Sequence, residues 1–280
     1  MRLLVTGAGG QLGTDVVTAC TAAGDEVIGL DRAALDITDR AAVRSAWEAH
    51  RPDVVINAAA YTAVDACETN EAVADSVNHL AVGYLADACA DVGAHLVHVS
   101  TDYVFDGRLD RPYREDDAPN PQSAYGRTKL AGERAAGDGA AIARTSWVCG
   151  EHGDNMVKLV LRLAGERDEL AFVDDQRGCP TFTADLAPAL RRLALERRTG
   201  VYHLTNQGAV SWYEFVREIL TVAGHDPAMV RPISTADLDP PRPAPRPANS
   251  VLDNAAWRAA GLPPLRDFRA PLAEVVARLA

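Results

Sequence analysis

The chain has 280 residues, 48% of them hydrophobic, and a formal net charge of −11. Its opposite charges are interspersed, which excludes a nucleic-acid backbone as the main partner, because such binding rests on Lys and Arg clusters. No apolar run approaches the ~20 residues that span a bilayer, and the five cysteines, Cys20, Cys67, Cys89, Cys149 and Cys179, lack metal-ligand spacing. The expectation is a cytoplasmic protein with reduced thiols and no membrane or nucleic-acid partner.

The opening "RLLVTG" reads as a first strand, not a secretory signal, which needs a longer apolar segment and a cleavage site. It leads into "TGAGGQLG" and the helical pattern "QLGTDVVTACTAA". Gly7 permits a tight turn, Gly10 lets the backbone approach a pyrophosphate, and Gly13 lets the helix pack against the strand. The helix N-terminus then supplies free N–H groups to the anion. Gln11 and Leu12 lie inside the same candidate cofactor segment. The second strand, "EVIGL", ends at Asp31 and Arg32. Asp31 stands where a carboxylate accepts from the ribose 2′-OH of NAD, whereas Arg32 would meet the 2′-phosphate of NADP, so both cofactors stay open. In "LDITD", Asp36 and Ile37 are either adenine contacts or a turn, with Thr38 or Asp39 capping the helix "DRAAVRSAWEAH".

A third strand, "DVVINA", is followed by Ala58, Ala59 and Ala60, small enough for a flat ligand to pass close to backbone. Tyr61, Thr62 and Asp65 are polar contacts or simply the loop before a helix. One long helix is expected over "EAVADSVNHLAVGYLADACADVG", then a fourth strand "HLVHVS", a helix "SAYGRTKLAGERAAG" and a fifth strand "AAIART". His98 in the fourth strand reads as a packed residue and not a catalyst. This alternation predicts an α/β fold, a Rossmann-type doubly wound parallel sheet, with a smaller C-terminal substrate-binding lobe. Residues 1–146 form the expected NAD(P)-binding domain and 147–280 the lobe, with later segments crossing back. Within the lobe, "GVYHLT" is a short extended piece. "DPPRPAPRP" is a stiff connector or a strap with Arg242 or Arg246 turned inward.

The chemistry concentrates at "STDYVFDG" and "YGRTK". Tyr125 and Lys129 are four apart and share one helical face. An ammonium beside a phenol stabilises the phenolate and brings an otherwise poor acid–base group toward working range. Thr101, at a strand end, can hold a substrate oxygen while Tyr125 transfers the proton. A hydroxyl, a tyrosine and a lysine so arranged suit carbonyl reduction beside a nicotinamide.

Taken together, "TGAGGQLG", "NAAAYTAVDACE", "STDYVFDG", "YGRTKLAGE", "RTSWVCG", "DDQRGCPT", "GVYHLTNQGAVSWYEF" and "RPANSVLD" make the chain resemble the extended short-chain dehydrogenase/reductases that act on nucleotide sugars. Within them it is similar to the dTDP-4-dehydrorhamnose reductases. The resemblance implies a dTDP-sugar substrate and NADPH or NADH as hydride donor to C4 of a 4-keto-6-deoxy-hexose. It makes Tyr125 the proton donor, Lys129 its pKa-lowering partner and ribose ligand, and Thr101 the ligand of the C4 oxygen. It also places Asp102, Tyr103 and Trp147 at the sugar, with Arg246 and Asn249 at the nucleotide or anchoring the tail. Trp212 is read as structural. Cys149 departs from the family's usual tyrosine and leaves the exact sugar open. Some relatives hold a divalent metal at a subunit contact through glutamates; no such ligand set is visible here, so no metal site is assigned and a metal requirement stays open. A homodimer is left open.

Two competing functions carry their own discriminants. A dehydratase on this scaffold would place Asp-Glu after the active-site Thr, and here Asp102 and Tyr103 follow Thr101. A non-catalytic dinucleotide-binding subunit would be free to lose Thr101, Tyr125 or Lys129, and all three are present.

Overall fold

The apolar runs foreseen as strands are largely buried, except the edge strand at Glu26–Leu30, which is only partly covered. In the computed structural model, which describes residues 1–279, β1 (Arg2–Thr6), β2 (Glu26–Leu30), β3 (Val54–Asn57), β4 (His95–Thr101) and β5 (Ala141–Thr145) form one parallel sheet. A sixth strand, Gly200–His203, pairs with β5. The order across the sheet is Gly200–His203, β5, β4, β3, β1, β2. The chain leaves β1 toward β2 on one side and returns to β3 on the other. Such a reversal opens a crevice at the carboxyl ends of β1 and β3, where open α/β sheets bind ligands.

Helices cover both faces. Leu3 and Val5 of β1 pack with Leu12 and Val16 of α1 (Gln11–Ala22), and with Leu186, Leu190 and Leu193 of the helix Thr183–Leu195. On the opposite face Leu4, Val55 and Leu96 meet Val43 and Trp47 of the helix Arg40–His50, and Val82 and Leu85 of the helix Ala81–Val92. A third core, including Cys149, Val160, Phe182, Phe215, Ile219, Phe268 and Leu272, holds the C-terminal lobe together. Two-stranded pairings, such as Val230–Ile233 with Leu170–Val173, rim that lobe.

The helix expected over "EAVADSVNHLAVGYLADACADVG" is present but interrupted. Glu71–Asp75 and Ala81–Val92 are α-helical, and Ser76–Leu80 is a π-helical turn. The wider turn brings Asn78 inward, where its Oδ1 accepts from Tyr61 N at 2.8 Å and its Nδ2 donates to Tyr61 O at 3.0 Å. Single π turns of this kind recur beside functional sites. Among the described residues no helix is long and apolar enough to cross a membrane.

Candidate active site

A cavity of about 690 Å³ lies at the crevice between β1 and β3, lined by Gly7, Gly9 and Gly10, by Asp31 to Ala33 and by Ala58 to Tyr61. Gly7 adopts φ +70°, which only glycine takes without strain, and a Cβ there would stand 2.7 Å from Ala59 N. At Gly13 a Cβ would fall onto the Gly7 carbonyl oxygen, so the glycine lets α1 begin directly under the loop. No side chain caps that helix, which leaves its first N–H groups to an anion at the cavity. The sequence-predicted cofactor residues therefore divide. Gly7, Gly10, Asp31, Arg32, Asp36, Ile37, Ala58, Ala59 and Ala60 line the cavity. Leu12 sends its side chain into the core. Gln11 ties the loop to the lobe, donating to Val148 O at 2.9 Å and accepting from Asn155 Nδ2 at 3.0 Å.

The two readings of Asp31 and Arg32 acquire geometry here. Asp31 Oδ1 accepts from the N–H groups of Ala33 and Ala34, both at 2.9 Å, so half of its carboxylate is spent on the turn. Asp36 Oδ1 likewise accepts from Thr38 N and Oγ1, hydrogen bonds that hold this carboxyl below its ordinary pKa. Asp39 caps the helix Arg40–His50 through Ala41 N and Ala42 N, as foreseen.

The candidate catalytic residues come together where β4 ends. Thr101 is the last residue of β4, and the helix Ala124–Ala136 starts from a Ser123 cap and lays Tyr125, Lys129 and Glu133 toward that strand. All are buried. Burial pushes the Tyr125 phenol well above its ordinary pKa, and a hydrogen bond with Thr101 pulls partly the other way. The phenol is thus protonated at neutral pH and ready to donate. Burial lowers Lys129 to about 8, against the opposing charge of Glu133. Its Nζ donates to Val99 O at 2.7 Å and lies 3.4 Å from His98 Nε2. Glu133 forms a buried two-pronged pair with Arg144, at 2.9 and 2.7 Å, and accepts from Ser100 Oγ at 2.5 Å. Asp102 Oδ1 accepts from Thr101 Oγ1 at 2.9 Å, while Oδ2 is buried without a partner among the described residues. Burial raises that carboxyl to about 6, despite the hydroxyls of Ser250, Thr101 and Ser146.

Tyr103 meets Tyr125 edge to face, with ring centroids 5.6 Å apart, and burial pushes its phenol up to about 12. Tyr103 also lines a second cavity of about 260 Å³, together with Phe105, Ser123, Arg246 and Pro247. Tyr61 lines the larger cavity, and Tyr125 shares one apolar cluster with both Tyr61 and Tyr103. Tyr125 itself lines neither cavity; it is buried behind Tyr61 and Tyr103, each of which lines one.

The outer residues are a mixed set. The proline-dense segment is a strap: Arg246 reaches Asp65 with two hydrogen bonds of 2.9 Å, and Ala244 N adds a third at 3.2 Å. Burial would raise the Asp65 carboxyl, but Arg246, Ala244 and Arg242 hold it below its ordinary range. Asn249 has its amide spent on the carbonyls of Leu109 and Arg111, at 2.8 and 3.0 Å, so the side chain anchors the tail. Trp147 sits at φ +47° and stacks on Trp212, centroids 3.5 Å apart and planes within 7°. Any sugar packed on Trp147 must use the face that Trp212 leaves. Trp212 is structural, as expected, in stacking on Trp147; Asn78, and Asp65 as a partner for the strap, escaped sequence reasoning, since each acts through a partner far along the chain.

Among the described residues no three His, Cys, Asp or Glu side chains gather to hold a metal ion. A model of the RmlD substrate binding domain matches residues 1–280. The chain is 49% identical to the dTDP-4-dehydrorhamnose reductase of Streptomyces griseus, over 98% of this chain and 92% of that one. It is 41% identical to the dTDP-4-keto-6-deoxy-D-glucose reductase of Streptomyces niveus, over 98% and 96%. Among solved structures, the dTDP-4-dehydrorhamnose reductase of Bacillus anthracis in complex with NADP superposes with a TM-score of 0.95 at 35% identity, covering 99% of each chain. With a full-length family match and relatives at this level of identity, the chain belongs to the RmlD family of dTDP-4-dehydrorhamnose reductases.

Proposed function

We propose that the protein reduces the C4 keto group of dTDP-4-dehydrorhamnose to give dTDP-L-rhamnose, using NADPH or NADH. The observation that carries this reading is the assembly of Thr101, at the end of β4, with Tyr125 and Lys129 on one face of the helix Ala124–Ala136, packed against Tyr61 and Tyr103, which line the two cavities. The larger cavity, its close-packed glycine loop and the uncapped start of α1 fit a dinucleotide, with Gly7, Gly10, Ala58 and Ala59 as its floor. Asp31 and Arg32 both line the cavity, which suits either form of the ribose. When bound, the reduced nicotinamide supplies the hydride.

The chain's own residues do the rest. The Thr101 hydroxyl, fixed at the strand end, holds the substrate oxygen by turning to it the hydrogen that it otherwise gives to Asp102 Oδ1. Tyr125 keeps its proton until charge develops on that oxygen, then donates it; the Lys129 ammonium stabilises the phenolate left behind. Asp102, Tyr103 and Trp147 shape the sugar pocket, and the lobe from residue 147 onward holds the nucleotide end, with Arg246 at its mouth. All five thiols are unpaired, which suits the reducing cytoplasm.

The test mixes the purified protein with dTDP-4-keto-6-deoxyglucose, with and without a 3,5-epimerase, and follows NADPH and NADH absorbance. Consumption that requires the epimerase, and falls at least 100-fold in Tyr125→Phe, is the expected result. Consumption without the epimerase would establish the second reading, a reductase of another dTDP-4-keto-6-deoxy sugar. That reading is favoured by the 41% identity to the Streptomyces niveus reductase and by the buried Cys149 at a position where the family usually has tyrosine.

A further inference from the structure

Behind Lys129 runs a chain of buried polar groups whose hydrogen-bond directions are fixed from one end. Asn57 ends β3 and His98 lies opposite it in register on β4; both are fully buried. Asn57 Oδ1 receives the backbone N–H of Ala59 at 3.1 Å and the Thr6 hydroxyl at 2.7 Å. A backbone N–H can only donate, so this oxygen is the acceptor end of the amide and the orientation of Asn57 is settled. Its Nδ2 must then donate to what lies 3.0 Å away, His98 Nδ1. An imidazole that accepts at Nδ1 and is neutral carries its hydrogen on Nε2. Neutrality is secured by burial and by the neighbouring Lys129, which both lower the His98 pKa far below its ordinary value. The Nε2–H is thereby turned toward Lys129 Nζ at 3.4 Å.

Two donors in apposition cannot bond to one another. A lysine ammonium has three hydrogens and no lone pair, so the Nε2–H can be accepted only by the neutral amine. We propose that His98 is a positioning residue for Lys129, locked by Asn57 as the Nε2–H tautomer so that it favours the uncharged form of the lysine. The inference rests on reading Lys129 as the partner of Tyr125. After Tyr125 gives its O–H proton to the product oxygen, the phenolate must be reprotonated before another turnover. An ammonium that holds its proton loosely can return one, its N–H bond breaking as the Tyr O–H bond re-forms. The resulting amine lone pair then accepts from His98. Besides His98, the group acting on Lys129 is the charged Glu133, one turn on in the same helix and itself paired with Arg144 on β5, while Tyr125 lies one turn back on the same helical face.

The first test reads the wild-type protein directly. Long-range 1H–15N spectra of the wild-type protein, with His98→Gln to assign the resonance, should show an unprotonated Nδ1 and a protonated Nε2 from pH 5 to 9. The Nδ1–H tautomer, or an imidazolium, overturns the proposal. The second test is kinetic. Asn57→Asp replaces a donor by a carboxylate, which draws the hydrogen to His98 Nδ1 and leaves Nε2 as an acceptor that stabilises the ammonium. The alkaline limb of kcat should move up by half a pH unit or more, and that shift should shrink by at least half in a His98→Leu background, where only the added charge remains. His98→Gln, which accepts from Asn57 and donates to Lys129 as imidazole does, should keep the wild-type limb. A limb unmoved in folded Asn57→Asp, or a shift undiminished in the double variant, overturns the proposal. Full activity in Tyr125→Phe would instead remove the catalytic reading and leave the tautomer result standing.

Discussion

Asp102 is a carboxyl that the fold holds at some expense, and Asp102→Asn measures how much. Its ordinary pKa of 3.8 is raised by burial to about 6. At ~1.4 kcal/mol per pH unit, ionising it in the folded state at pH 7 costs about 3 kcal/mol relative to the unfolded chain. The sign follows from proton counting. Between 3.8 and about 6 the folded protein binds more protons at this site than the unfolded one, so stability falls as pH rises through that window. Asparagine removes the dependence while keeping an oxygen for the Thr101 hydroxyl. Its amide nitrogen replaces an oxygen that already lacks a partner, which costs ~1–3 kcal/mol at every pH. The expected outcome is a variant whose stability relative to wild type improves by about 2 kcal/mol from pH 4 to pH 7, seen as roughly 4 °C or more in the difference of Tm. Thermal unfolding of both proteins across that range is the assay, with turnover measured alongside and expected to fall. A difference constant to within ~1 kcal/mol from pH 4 to 7 would refute the raised carboxyl and the argument built on its burial.

Three further perturbations probe other links. Glu133→Gln strips the buried Arg144 guanidinium of its counter-charge and should destabilise the protein by ~3–5 kcal/mol in urea unfolding. Because Glu133 raises the Lys129 pKa, the alkaline limb of kcat should also move to lower pH in whatever folds. Gly13→Ala drives a methyl onto the Gly7 carbonyl and should weaken dinucleotide binding at least tenfold by calorimetry, with a stability loss of ~1–3 kcal/mol. Asp65→Ala releases the strap, and hydrogen exchange at the Ala244 amide, now bonded to Asp65 Oδ1 at 3.2 Å, should accelerate by at least tenfold.

The five strands β1 to β5 were legible because each is a short aliphatic run between turn residues, and for all but the edge strand β2 burial on both faces leaves such runs little choice. The placement of Tyr125 and Lys129 on one helical face and of Thr101 at a strand end was legible for a different reason: a helix spacing and a strand end are local patterns. What escaped has no local pattern. The strand Gly200–His203 looks like any extended piece until β5 offers an edge to pair with. The Arg246–Asp65 pair joins positions 181 residues apart, and the strap was readable only as a choice between connector and closure. Asn249 resembled a ligand because polar side chains near a binding motif usually are; its carbonyl partners lie some 140 residues upstream. The π turn at Ser76–Leu80 is invisible in a helical pattern, since one extra residue per turn leaves the apolar spacing nearly intact.

The return of the chain to its first sheet limits how this scaffold can be recombined. The helix Thr183–Leu195 shares a core with β1 and α1, the strand Gly200–His203 completes the sheet beside β5, and Trp257 joins that same core from near the carboxyl end. A chimaera cut once near residue 146 would leave an open sheet edge and a half-filled core on one parent, and neither fragment would inherit a finished interior. Recombining relatives therefore calls for several short exchanges, with residues 183–204 kept from the parent that donates the glycine loop.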